Sequence, residues 1–135
     1  MNENIIKKGF VLAGLVNIVG IAVVTHGLQS DTLAIADPGA FSTLGILCIM
    51  LWGMAYIASA PYASTSVLIP VVFALEKLLY TVNWALWFTE HGSKVESIVQ
   101  QDMLGGLFLG GYGINDGLFC LFFAFVAWRN WRSQR

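Results

Sequence analysis

Five polar residues stand deep inside otherwise apolar stretches of this chain: Asn17, Glu76, Lys77, Asn115 and Asp116. Three of them ionise. A single charged residue at the centre of a membrane-spanning helix costs about 2.5 to 3.5 kcal/mol on insertion scales, so three such groups demand compensation from one another. Glu76 and Asp116 set against Lys77 leave one negative charge unmatched. An unmatched buried carboxylate is suited to take up a proton or receive a cation. In such a site Glu76 and Asp116 would be the proton or ligand acceptors and Lys77 their counter-ion. The same residues equally suit a neutralised hydrogen-bonded network, Asn17 included, that fixes helix register and has no other role.

Aromatic side chains recur at helical spacing around Glu76. With about 100° of turn per residue, Phe73, Glu76, Lys77, Tyr80, Asn83, Trp84 and Trp87 share one arc. Leu68, Val71, Leu75, Leu78, Leu79, Val82 and Leu86 share the opposite arc, which is expected to face lipid. Charge, amides and ring planes on one arc would suit a small flat, apolar or cationic ligand through stacking and cation–π contact. Large rings are also ordinary filling between helices.

Long apolar helices must position these residues. Hydrophobic residues make up 57% of the 135 and charged residues 11%, about half the roughly 25% charge usual in soluble domains. No Asp, Glu, Lys or Arg occurs between Lys8 and Asp31, or between Asp37 and Glu76, and about 20 such residues cross the hydrocarbon. The pattern predicts an all-α bundle of four transmembrane helices, at about 9–25, 41–60, 67–88 and 103–128, forming a single integral membrane domain over 1–135. Pro61 and the polar run from Tyr62 to Ser66 end the second helix, and Pro70 sits in the first turn of the third, where proline is tolerated. Counted from the helix ends, Asn17, the Glu76–Lys77 pair and the Asn115–Asp116 pair lie at one depth, where the second helix offers Trp52 and Gly53.

Basic residues orient the bundle. Lys7, Lys8, Arg129, Arg132 and Arg135 lie on one side against Lys94 on the other, so both termini are expected to be cytoplasmic, with the chain in the inner (plasma) membrane. The outer loops near 26–40 and 89–102 carry Asp31, Asp37, Glu90, Glu96 and Asp102. Lys7 and Lys8 before an apolar stretch, with Ala34-Ile35-Ala36 beyond it, resemble a secretory signal, but the polar segment from Val24 to Ala36 is longer than signal peptidase substrates present, so cleavage is not expected. The net charge of −1 argues against nucleic acid as a partner. The basic tail interleaves with Trp128 and Trp131 as a membrane-surface anchor does.

Cys48 and Cys120 fall at different expected depths, so no disulfide is predicted. His26 and His91, near Asp31, Glu90 and Asp102 at the outer helix ends, belong to no recognised ligand spacing; neither a metal nor a cofactor is expected. No nucleophile motif or phosphate loop occurs, and Gly110-Gly111-Tyr112-Gly113 lacks the preceding strand of a nucleotide-binding loop. Gly106, Gly110, Gly113 and Gly117 instead form a helix-packing stripe. Gly9, Ala13, Asn17 and Gly20 form a similar face on the first helix, so helices one and four are expected to pack closely, with Asn17 near Asp116.

The runs FALEKLLYTVNW, from Phe73 to Trp84, and YGINDGLFCLFFAFVAW, from Tyr112 to Trp128, look like segments of small uncharacterised bacterial inner-membrane proteins. The layout is similar to that of DoxX-like four-helix proteins. Small multidrug-resistance transporters are also four-helix proteins of this size, but their essential membrane carboxylate lies in the first helix, where this chain has only Asn17. Three functions fit these features: binding or transport of a proton or small ligand, a non-catalytic assembly subunit that forms homo-oligomers or joins a membrane partner, and an enzyme acting on a quinone or lipid-like substrate with Glu76 or Asp116 as general acid or base.

Overall fold

The computed structural model describes residues 2–135. Helix α1 spans Glu3–Val24 and contains a π-helical turn at Val16–Gly20. Two short helices follow, α2 (Thr32–Ala36) and α3 (Pro38–Phe41), then α4 (Thr43–Ser59), which ends in a 3-10 turn at Ala60–Tyr62. Helix α5 (Leu68–His91) leads through a 3-10 turn at Gly92–Lys94 into α6 (Val95–Gln101), and α7 spans Met103–Ser133. No strand occurs among the described residues. Four helical stretches, built on α1, α4, α5 and α7, are long and apolar enough to cross a membrane. Leu51, Leu79, Leu107, Leu118 and Leu121 are each at least 60% exposed, an outward apolar surface that suits lipid tails and would associate in water.

Helices α1, α5 and α7 each outrun one predicted end, at Glu3, His91 and Ser133, whereas α4 is slightly shorter than expected. Helix α1 starts at Glu3, capped by Asn2, whose side chain accepts from the Asn4 amide; the long stems of Lys7 and Lys8 let charged heads reach water from a helical backbone. The segments expected as loops, 26–40 and 89–102, fold into α2, α3 and α6. Helix α6 forms because Val95, Ile98 and Val99 make a small apolar face that docks on α7, where a Cβ on Gly106 would lie 2.5 Å from the Val99 amide nitrogen.

Two pairs of helices build the bundle. Helices α1 and α4 approach backbone to backbone at Gly14 and Gly53: a Cβ on Gly14 would come within 2.5 Å of the Gly53 carbonyl oxygen, and one on Gly53 within 2.8 Å of the Gly14 oxygen. Helices α5 and α7 form the most extensive contact, with the Trp84 indole lying directly over Gly113 and Thr81 against Gly117. The expected close pairing of the first and fourth helices is therefore corrected. The α7 glycines accommodate α5 and α6, whereas α1 meets α7 less extensively, at Gly9, which receives the Phe122 ring, and at its Ile21–Val24 end. Periodicity identified which residues were small, and the bulk of Trp84 and Val99 decided which partner used them.

Each pair presents aromatic and aliphatic groups to the other in two clusters. One holds Ile6, Phe10, Tyr56, Phe73, Phe123 and Val126; the other holds Ile21, Phe41, Ile49, Trp87, Leu109 and Tyr112. Along α1, α5 and α7 the polar layer falls between them: Asn17 between Phe10 and Ile21, Glu76 and Lys77 between Phe73 and Trp87, Asp116 between Tyr112 and Phe123. At the terminal side, the fully buried Asn130 of α7 donates to the carbonyls of Ala63 (2.8 Å) and Ser66 (2.7 Å), tying α7 to the hairpin between α4 and α5.

At the opposite side Asp102 anchors α7. Its Oδ1 accepts from the Gly105 amide and lies 3.2 Å from His26 Nε2, while Oδ2 accepts from the hydroxyls of Ser30 (3.0 Å) and Thr32 (2.7 Å). These contacts gather the turn after α1, in which His26 (φ 50°), Gly27 (φ 74°) and Leu28 (φ 67°) are all left-handed, a conformation that disfavours side-chain-bearing residues. The Gly105 amide, followed by the hydroxyls and His26, holds the Asp102 carboxyl well below the usual carboxylate range. A depressed folded-state pKa contributes stability that is present above the ordinary carboxyl value of about 4 and is lost as pH falls below it. Asp102→Asn is expected to cost about 1 kcal/mol at neutral pH, losing the charge-assisted bonds, and to flatten the loss of stability between about pH 4 and pH 2 in thermal melts of detergent-purified protein. Equal acid sensitivity in both proteins would mean that Asp102 does not carry it.

Candidate functional site

Three of the four long helices bring charged or amide groups to the middle of the bundle, and the fourth brings a phenol. Lys77 of α5, 2% exposed, donates from Nζ to Asp116 Oδ1 of α7 at 2.9 Å and to Asn17 Oδ1 of α1 at 3.0 Å. Asn17 lies in the π turn of α1, where a widened turn re-aims side chains. Its amide nitrogen donates to the Ile49 carbonyl of α4 at 3.1 Å. One side chain thus joins α1 to α4 by its amide and to α5 by its oxygen. Asn115 donates to Asp116 Oδ1 at 3.3 Å. Asn17 and Asp116 come near each other as expected, with Lys77 between them.

Glu76 stands apart from that ion pair. Its Oε2 accepts from the hydroxyl of Tyr56 on α4, while its Oε1 is buried with no hydrogen-bond partner among the described residues. The Lys77 ammonium is committed to Asp116 and Asn17 and also lies 5.4 Å from the centre of the Tyr56 ring. Charge counting left one carboxylate over; the geometry makes Glu76 that carboxylate. Glu76, Lys77, Asn17, Asn115 and Asp116 line a cavity of about 30 Å³, whose remaining walls include Tyr80, Tyr112, Phe41 and Phe108. That volume holds about one or two water molecules.

The aromatic arc of α5 divides among different tasks. Tyr80 lines the cavity. Phe73 packs on Phe10, Tyr56 and Phe123 in the apolar cluster toward the termini. Trp84 donates to the Leu109 carbonyl at 2.9 Å and Trp87 to the Ala36 carbonyl at 2.9 Å, so both indoles bind neighbouring backbone instead of the cavity. Asn83 donates to Asp37 Oδ2 at 2.9 Å and to the Tyr112 hydroxyl at 3.2 Å, two turns of helix from Glu76.

Of the stripe residues, Gly106 and Gly113 are buried, Gly110 lies under Val95, and Gly117 lies under Thr81. Cys48 and Cys120 are both free. His26 engages Asp102, and His91 stacks on Trp87 with ring centres 5.6 Å apart.

Tyr56 is the site residue that sequence reasoning missed. Helix counting placed Trp52 and Gly53 at the depth of Glu76, but the Tyr56 side chain reaches one turn along the bundle to meet it. A signal was present: Tyr56 is the only tyrosine inside the apolar run of α4, and a phenol buried in such a run needs an acceptor. Phe41 and Phe108 were invisible for a different reason, since they reach the cavity only through the packing of α3 and α7. No protein-family model, curated protein or solved structure matches the chain.

Proposed function

We propose that this multi-pass membrane protein takes up and releases a proton or a small cation at Glu76, in the inner membrane and with both termini cytoplasmic. One observation carries this reading: a carboxyl group that is 5% exposed keeps an oxygen without a partner while lining a cavity of water-molecule size. A purely structural network has little reason to leave a buried carboxyl oxygen unpaired, because that costs about 1 to 3 kcal/mol. Lys77 with Asp116 forms a neutral pair that fixes the layer, and Glu76 beside Tyr56 is the exchanging group. The orientation rests on Lys7, Lys8, Arg129, Arg132 and Arg135 at one side.

The cavity volume limits the ligand. Pockets for drug-sized ligands measure roughly 300 to 1,000 Å³, about ten to thirty times what this cavity provides. A proton or small cation with a water molecule therefore fits better than a flat organic ligand or an enzyme's apolar substrate. An assembly role would draw support from a glycine stripe facing lipid, but Gly106 and Gly113 are buried against α6 and α5.

The test is the stability of the detergent-purified protein between about pH 5 and pH 9 for wild type and Glu76→Gln. The expected result is a variant as stable as wild type or more so, with a flatter pH dependence. A variant strongly destabilised at every pH would make the layer structural and overturn the proposal.

A further inference from the structure

Polar groups continue from the cavity toward one end of the bundle only. Tyr112 lines the cavity and accepts from Asn83, so its own hydroxyl hydrogen is free for a water molecule in the cavity. Asn83 holds Asp37, which is 8% exposed and caps α3 through the Ala40 amide. Beside these groups a groove of about 340 Å³, bordered by Gly39, Ala40, Leu79, Tyr80 and Asn83, opens on the bundle surface. Tyr80 borders both the groove and the cavity.

The other direction is closed. Beyond Tyr56 the bundle is filled by Phe10, Phe73 and Phe123, with Ile6, Ala13 and Val126 behind them, all at most 5% exposed. The rings meet at centre-to-centre distances of 4.6 to 5.8 Å, so the layer beyond the Tyr56 hydroxyl is packed and apolar. Carrying an unpaired charge across such a layer is costly.

Building on the exchange proposed at Glu76, we infer that this exchange is one-sided: Glu76 communicates with the face that bears residues 26–40, by a route that enters at Asp37 and Asn83 and passes Tyr80. Asp37 is the acceptor at the mouth of the route, and Asn83 holds it and Tyr112 in place. The groups facing Glu76 are Tyr56 from α4, Lys77 and Tyr80 from α5, Tyr112 and Asp116 from α7, and the uncharged Asn17 from α1. Those facing Asp37 are Asn83 from α5 and, through it, Tyr112 from α7.

The experiment uses the full chain inserted in one orientation into sealed phospholipid vesicles. The carboxyl infrared band that disappears in Glu76→Gln is followed while pH is stepped on one side at a time. The band is expected to respond to steps on the face of residues 26–40 alone. Asp37→Asn keeps an oxygen for the Ala40 amide but no longer accepts from Asn83, so it should slow that response on the order of a hundredfold, lower the melting temperature slightly and leave the final amplitude unchanged. A response of equal speed from the terminal face, or an unchanged rate in Asp37→Asn, overturns the inference and leaves exchange at Glu76 standing. A band that responds from neither face overturns both.

Discussion

Replacing Lys77 with methionine should destabilise the protein by about 3 to 5 kcal/mol, the cost of removing one partner of a buried ion pair. Methionine matches the lysine stem in length and fills its space, so the loss would be electrostatic. Without the ammonium, Asp116 keeps only the Asn115 amide as a donor, and Asn17 Oδ1 loses its donor altogether. The double variant Lys77→Met with Asp116→Asn should recover most of the stability, because two neutral groups replace an orphaned charge. Unfolding in detergent, with each single variant and the double, measures the coupling. A Lys77→Met protein within about 1 kcal/mol of wild type would show that the pair is not buried as described.

The second large effect is steric. Gly14→Val should cost about 3 kcal/mol, the upper part of the range for overpacking, because its Cβ would press on the Gly53 carbonyl oxygen and on the Ile57 side chain. A side-chain end could turn away, but the Gly53 carbonyl belongs to the α4 backbone and moves only if the helix moves. Displacing α4 would also pull Ile49 from Asn17 and Tyr56 from Glu76, so the site should loosen with the interface. Gly20→Ala and Gly111→Ala are the matched controls. Nothing lies nearer than 4.0 Å to a Cβ at Gly20, and nothing within 4 Å at Gly111, so both should be neutral or slightly stabilising through better helix propensity. Equal melting temperatures for Gly14→Val and Gly20→Ala would refute the Gly14–Gly53 contact.

The two effects are linked by construction. The Gly14–Gly53 and Gly113–Trp84 contacts act within each helix pair, whereas Tyr56–Glu76 and Asn17–Lys77 run from one pair to the other. Between membrane helices there is little hydrophobic drive, so packing and interhelical hydrogen bonds set the arrangement. A polar layer that joins two rigid pairs can therefore hold Glu76 with an unsatisfied oxygen, because the neighbouring Lys77–Asp116 pair and the aromatic contacts fix the frame around it.

The sequence by itself determined the four apolar helices, the shared level of Asn17, Glu76, Lys77 and Asp116, and the outward-facing leucines of α5. These follow from composition and from a 3.6-residue period, both local properties of a chain in a solvent that forbids unpaired backbone. Tertiary structure decided which helices touch. Small residues on α1 and α7 suited each other equally well on paper, but Trp84 and Val99 fill the space over the α7 glycines, and Gly14 of α1 meets Gly53 of α4. It also decided which acid keeps a free oxygen. Glu76 and Asp116 are alike as residues, but Lys77 can extend to only one of them while Tyr56 reaches the other, and that choice depends on distances between helices that no spacing along the chain contains.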